Sequence, residues 1–431
     1  MREASLEFFS FAYPNIKYVV FGSVLLAIAS AVVGCFTFLK KKSLLGDVIS
    51  HAVLPGICLS FFISGSKNPI LLIVGAFATG WLSILFLDYV VRNSKLKEDT
   101  ATGISLSVFF GIGILLLTVI QHTGNAAQSG LDSFLFGKAA ALVGQDLVVF
   151  GSLALLVLVI VWLFYKELKI LSFNPEYAET MGIPIRWIEV LLSFITVLAV
   201  VTGIQAVGVV LMAAMLITPA AAARFWTHKL SIMIVLASVF GALSGFTGAY
   251  VSYVAPGMPT GPWIVMVISI IAIFSFFLAP KRGIVSKTIR QFRIKNRLLE
   301  ENILKTFFAL GERDNQYYEP RSMNELMAKR SFTKSQITKG LRRLRIGNFI
   351  QRRDNQWVLL RQGFIKGKRI QRLHRLWELY LTEYLKIAPD HVHEDAESIE
   401  HIITPELELK LEALLNFPEK DPHQTLIPKK E

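Results

Sequence analysis

Nine apolar runs fill the first 280 residues of this 431-residue chain and limit what it can fold into. They cover 17–39, 46–65, 69–92, 103–121, 145–165, 187–203, 205–224, 230–253 and 261–280. About 20 helical residues cross the hydrocarbon core of a bilayer. Each run is close to that length, and a mean hydropathy of +0.50 is too apolar for an ordinary soluble protein. Basic residues follow alternate runs: Lys40–Lys42, then Arg92, Lys95 and Lys97, then Lys166 and Lys169, then Arg224 and Lys229, then Lys281 and Arg282. The connections between them, 64–68, 122–144 and 254–260, carry little positive charge. The positive-inside rule puts the basic connections in the cytoplasm. The expectation is an α-helical polytopic membrane protein with its N-terminus outside and C-terminus inside. It has nine spans, or eight if one run is re-entrant. The N-terminus is acidic and lacks a short apolar core with a small-residue cleavage site, so no signal peptide is expected.

Beyond residue 280 the chain reads as soluble and its charge divides. Residues 281–375 hold 25 Lys and Arg against 7 Asp and Glu, and residues 376–431 hold 5 against 13. The net charge of +13 averages a basic block with an acidic one. The two cysteines, Cys35 and Cys58, lie in apolar runs. They allow neither a disulfide framework nor a cysteine-based zinc site.

Within the second run, Leu44–Gly56 places Asp47 and His51 four residues apart. That spacing puts both on one helix face, where they offer an oxygen and a nitrogen to one small cation. Ionisable groups in membrane helices are costly and by default mark a pathway or a site. In the plainer alternative, Asp47 caps the helix at the water interface and His51 bonds a neighbour. One Asp and one His accept Mn, Fe, Zn or Co, and no thiolate narrows the choice.

Two further stretches stand out. Phe173–Pro184 reads as a short polar helix between prolines, stopped at Gly182-Ile183-Pro184. It is either an ordinary loop helix or a docking helix for a cytoplasmic partner. Gly208–Ala223 is rich in small residues, which let membrane helices approach closely, in a core or at a subunit contact.

Taken together, Leu44–Gly56, Asn174–Gly182 and Gly208–Ala223 resemble, in order, the permease subunits of bacterial ABC importers for manganese, zinc and ferrous iron. The resemblance spans roughly residues 15–280. It implies a type II ABC importer permease fold in the bacterial cytoplasmic (inner) membrane. Two permeases, identical or different, would pair above two ATP-binding subunits and be fed by an extracytoplasmic metal-binding protein. Asp47 and His51 would line the metal pathway. Asn174, Pro175, Glu176, Ala178 and Gly182 would belong to the helix that couples to the ATPase. No G-x-x-x-x-G-K-[ST] loop occurs in the chain, so the ATPase is expected to be a separate polypeptide and the permease itself not an enzyme.

Residues 281–298 form a basic juxtamembrane segment suited to anionic lipid. Next come an apolar face at Leu304, Phe307, Phe308 and Leu310, a loop at 311–321 and a Ser-x-x-Glu capping box at Ser322–Glu325. A polar, basic helix begins at Thr333, and Asn348–Leu360 reads as two strands about a turn at Asp354-Asn355. This order is a winged helix-turn-helix. Lys334, Ser335 and Gln336 would face base edges. Arg342, Arg343, Arg352 and Arg353 would lie near phosphates, and Lys339 belongs to the same DNA-binding set. Winged helices also bind proteins, and a basic face near a membrane can meet lipid instead.

His374 and Glu378 then stand at i, i+4, and His393, Glu397, Glu400 and His401 share one helical face. Six nitrogen and oxygen donors in two clusters point to a divalent cation. Residues 299–428 resemble the iron- and manganese-dependent repressors: a winged helix followed by a metal-binding and dimerisation domain. That resemblance assigns Glu397, Glu400 and His401 to one metal position, and His374, Glu378 and His393 to its pair. Glu at 397, where iron-type members tend to have Cys, tilts the choice toward manganese. The family's first DNA-domain helix also donates ligands, and here Asn302, a weak donor, and Lys305, a poor one, stand in those places.

The expected domains are an N-terminal segment (1–16), the permease (17–280), a basic linker (281–298), a winged helix (299–362) and a metal-binding and dimerisation domain (363–431). The function expected is import of divalent metal, manganese favoured over zinc or iron, with a cytoplasmic tail that senses metal or binds DNA. The alternative is a membrane-tethered, metal-responsive DNA-binding regulator that has lost transport.

Overall fold

Prolines, asparagines and glycines at the edges of the apolar runs set where the helices begin and end. The computed structural model describes residues 2–65, 68–122, 144–255, 257–280, 282–388, 401 and 403–429. Two units divide at Lys287/Thr288.

In the first unit, α1 (Arg2–Ser10) precedes α2 (Pro14–Leu39), which starts with proline in its first turn. α3 (Leu45–Ser64) follows, and then α4 (Pro69–Asn93), whose cap Asn68 accepts a hydrogen bond from the Ile70 amide at 3.0 Å. α5 is Glu98–His122 and α6 is Gly144–Leu163. The apolar part of α6 meets α7 (Tyr165–Phe173) at a 70° bend. After the short α8 (Pro175–Thr180) come α9 (Ile185–Val207), α10 (Val209–Trp226), α11 (Leu230–Val254) and α12 (Thr260–Leu278).

Every apolar run of the sequence is a helix, but the count of spans is lower than nine on strict length. Among the described residues seven helices are long and apolar enough to cross a membrane, and the bent α6–α7 pair makes eight. The ninth, α10, is short because Gly208, at φ 91°, ends α9 and restarts the chain. α10 is also an inner helix: Met212, Met215, Leu216, Ala220 and Ala223 are buried in the main core with Phe36 of α2, Ile49 of α3 and Ile204 of α9. A Cβ on Gly34 would lie 1.7 Å from the Leu216 carbonyl oxygen, so α2 and α10 touch backbone to backbone. The small-residue run therefore serves core packing, and it does so with glycines on the opposing helices.

At one end of this bundle, Lys40 pairs with Glu189 of α9 at 3.1 Å, and Lys42 lies 4.0 Å from Glu98 of α5. Three of the basic connections thus gather at a single end.

The second unit opens within α13 (Ile284–Asp314), one unbroken helix through the basic segment and the first apolar face. The expected loop at 311–321 starts only after Asp314, where Asn315 takes φ 57°. α14 (Met323–Lys329) and α15 (Lys334–Ile346) both begin with complete capping boxes, Ser322–Glu325 and Thr333–Gln336. β1 (Ile350–Arg353) and β2 (Gln356–Leu359) pair antiparallel, Ile350 opposite Leu359. Asp354 and Asn355 join them at φ 45° and 66°, as a two-residue hairpin turn of the I′ type requires. Ile303, Leu304, Phe307, Ile337, Leu341 and Leu344 form the winged-helix core. α16 (Arg361–Glu383) and α17 (Pro405–Leu414) pack through Leu376, Leu379, Leu411 and Leu415.

Candidate functional site

Asp47 lies in the first turn of α3 and His51 one turn further on. The carboxylate is about half-exposed and the imidazole mostly covered, with Nε2 3.6 Å from Asp47 Oδ1. That separation exceeds hydrogen-bond reach. It is close to the roughly 3–3.5 Å expected between two ligands that each sit about 2.1 Å from one first-row cation. Phe110 of α5 meets the imidazole edge to face, with centroids 4.8 Å apart, and fixes the ring. Nδ1 of His51 is buried without a hydrogen-bond partner among the described residues. The pair is therefore rigid, weakly engaged with itself and open on the aspartate side. Among the described residues no group of three or more His, Cys, Asp or Glu side chains converges. A single chain offers two ligands here, enough for transient contact.

α8 is fixed by its ends. Asn174 accepts from the Tyr177 amide at 3.0 Å, and Pro175 occupies the first turn. Gly182, at φ 74°, closes the helix as the amides of Gly182 and Ile183 bond the carbonyls of Glu179 and Ala178, both at 3.0 Å. Ala178 is buried, while Asn174, Pro175, Glu176 and Gly182 are exposed. The result is a short polar ledge anchored by one alanine.

On α15, Lys334, Ser335, Lys339 and Arg342 line one exposed surface. Lys339 also lies over the Phe292 ring at 4.1 Å, and the remaining basic-face residues are engaged as well. Gln336 Oε1 accepts from the Thr333 amide at 2.9 Å, which turns that side chain back on the helix start. Arg343 pairs with Glu300. Arg352 bonds Asn355 and lies over the Trp357 ring, while Arg353 is exposed on the wing.

His374 Nε2 and Glu378 Oε1 lie 3.1 Å apart, both almost fully buried on α16. His401 Nδ1 lies 2.7 Å from Glu301 Oε2, and its Nε2 lies 3.1 Å from Asn302 Oδ1. His393, Glu397 and Glu400 lie outside the described residues. Glu301 escaped the sequence reading, which considered 302 and 305. Its signal is a charge on the buried stripe Glu301–Leu304–Lys305–Phe308. Burial alone would raise the Glu301 carboxyl, but hydrogen bonds from His401 and Arg297, with Lys366 nearby, hold it at about 2. The nitrogen and oxygen donors fit a first-row divalent cation by type. Such a cation would share Glu301 with Arg297 and Lys366.

The model of the ABC 3 transport family matches residues 12–279, well over half of the chain. The chain belongs to that family. Residues 361–429 match the metal binding and dimerisation domain of the iron dependent repressors, so this member carries a repressor-like domain fused behind its membrane unit. Its relatives include the manganese transport system membrane protein MntC of Bacillus subtilis, 41% identical over 87% of this chain and 86% of the relative. The zinc transport system membrane protein TroC of Treponema pallidum is 40% identical over 67% of this chain and 96% of that one. Among solved structures, PsaBC from Streptococcus pneumoniae in complex with Fab superimposes with a TM-score of 0.58 at 35% identity, covering 64% of this chain and 97% of the other.

Proposed function

We propose that this family member is the permease subunit of an ATP-driven importer of divalent transition metal, manganese before zinc or iron. The observation that carries the reading is the Asp47–His51 pair, 3.6 Å apart and open on one side within an apolar bundle. Relatives named for manganese and zinc transport support it. An extracytoplasmic binding protein delivers the cation, and a second permease, identical or paralogous, supplies the facing pair. Each pair replaces part of the ion's hydration with one oxygen and one nitrogen, and two ligands per chain hold it weakly enough to release. A separate ABC ATPase docks on the ledge of Asn174, Pro175, Glu176, Ala178 and Gly182 and drives the change of access. No bond is made or broken on the permease.

The tail is proposed to lie in the cytoplasm and to read metal there. His374, Glu378, His393, Glu397, Glu400 and His401 would hold the cation, which when bound ties the repressor-like domain to the winged helix. The exposed group Lys334, Ser335, Lys339 and Arg342 supports DNA binding, with Arg353 on a phosphate. Uptake of manganese, zinc and ferrous iron, compared in cells with and without the chain, tests the transport reading and ranks the metals.

A further inference from the structure

A cavity of about 580 Å³ opens between the ends of α2, α4 and α9, and neither Asp47 nor His51 lines it. Its mouth carries Lys40, Lys42, Arg92 and Arg186 against two carboxylates, Asp88 and Glu189. Glu189 is already held by Lys40 at 3.1 Å. Arg92 and Arg186 have no carboxylate within ion-pair reach among the described residues, so the mouth is left with a surplus of positive charge. The inner wall is apolar, built from Trp81, Ile84, Leu85 and Val190. Leu85 and Val190 also stand on the exposed surface of the bundle. Beside the basic mouth, Tyr89 and Trp187 are 67% and 75% exposed. Aromatic side chains with that exposure collect at the level of lipid headgroups.

We propose that this cavity binds an anionic phospholipid, its phosphate on Arg92 and Arg186 and an acyl chain along Leu85 and Val190. Two features select this ligand. Guanidinium groups take a phosphate through paired hydrogen bonds, and basic pockets between membrane helices bind acidic headgroups. A water-soluble anion would use the mouth and leave the apolar wall idle. A docked protein would be expected to answer Asp88 and Glu189 as well as the arginines. Because Lys40 and Glu189 join α2 to α9, a lipid here braces the helix that follows the α8 ledge.

Native mass spectrometry of the full-length chain, titrated with phosphatidylglycerol or phosphatidylethanolamine, tests the site. The wild type is expected to retain phosphatidylglycerol about tenfold more strongly, and Arg92→Ala with Arg186→Ala to lose that preference. Arg92→Lys with Arg186→Lys should keep most of it, which guards against a folding defect. Equal retention of both lipids by the wild type, or an unchanged preference in the alanine variant, overturns the proposal. So does displacement of the lipid by millimolar inorganic phosphate, which marks a soluble-anion site. If instead the alanine variant keeps its lipid but loses a co-expressed ABC ATPase, the cavity is a protein seat and the proposal is also overturned.

Discussion

Glu301 and His401 are joined by a 2.7 Å hydrogen bond across a hundred residues of sequence, with both side chains almost fully buried. Arg297, at 2.9 Å, and Lys366, at 3.4 Å, share the same carboxylate. This network ties the first helix of the winged-helix unit to the repressor-like domain. Removing the carboxylate charge would weaken the acceptor that the buried His401 shares with the more exposed Arg297 and Lys366.

Glu301→Gln is therefore expected to loosen α13 by on the order of 2 kcal/mol, in the range for buried hydrogen bonds to charged groups. Amide exchange over residues 297–305 of the full chain should quicken by roughly thirtyfold. Unchanged exchange would show that His401 contributes nothing to this junction.

Ala178 is the one buried residue of an otherwise exposed ledge. Ala178→Arg should lift α8 from its seat, cut co-purification of the ATPase about tenfold and leave membrane insertion intact. A tenfold loss corresponds to about 1.4 kcal/mol of contact. Full ATPase recovery with the variant would remove this helix from the coupling role.

If the tail binds DNA, Arg342→Ala and Arg353→Ala should each weaken binding and reduce the salt slope by about one. Gln336→Ala should instead act through the lost capping bond, costing about 1 kcal/mol of helix stability without changing the slope. Fluorescence anisotropy with promoter DNA over a salt series separates these outcomes. A slope that ignores Arg342 and Arg353 would exclude them from the phosphate contact.

Asp314 offers a pH test on the same unit. Hydrogen bonds from Arg313 and Arg321 hold its carboxyl at about 2, below the ordinary 3.8. Its contribution to stability is full above the ordinary value and fades as pH falls toward 2. Asp314→Asn should remove that part of the acid dependence, read as exchange over residues 311–322 between pH 5 and 2. An identical acid profile for variant and wild type would contradict the pairing.

Local features of this molecule were legible in the sequence. The apolar runs, the Ser322–Glu325 capping box, the Asp354-Asn355 turn and the one-turn spacing of Asp47 and His51 all follow from rules that span a few residues. What escaped depends on distant partners or on the choice among several uses of one side chain. Gln336 looked like a base-reading residue because its type and position suit DNA, yet its own helix start claims it first. Glu301 lay one residue from the expected ligand position, and only the packing of α13 shows that it faces His401. The break at Gly208 was hidden because apolar residues flank it on both sides. Arg92 and Arg186 meet only through helix packing, which no window along the chain reveals.

The most direct test is uptake of radiolabelled manganese by cells expressing Asp47→Asn or His51→Gln, with permease level and ATPase assembly measured in the same membranes. The expected result is at least a tenfold loss of uptake for each variant, with assembly unchanged. Wild-type accumulation by both would contradict the assignment of this pair to the metal pathway.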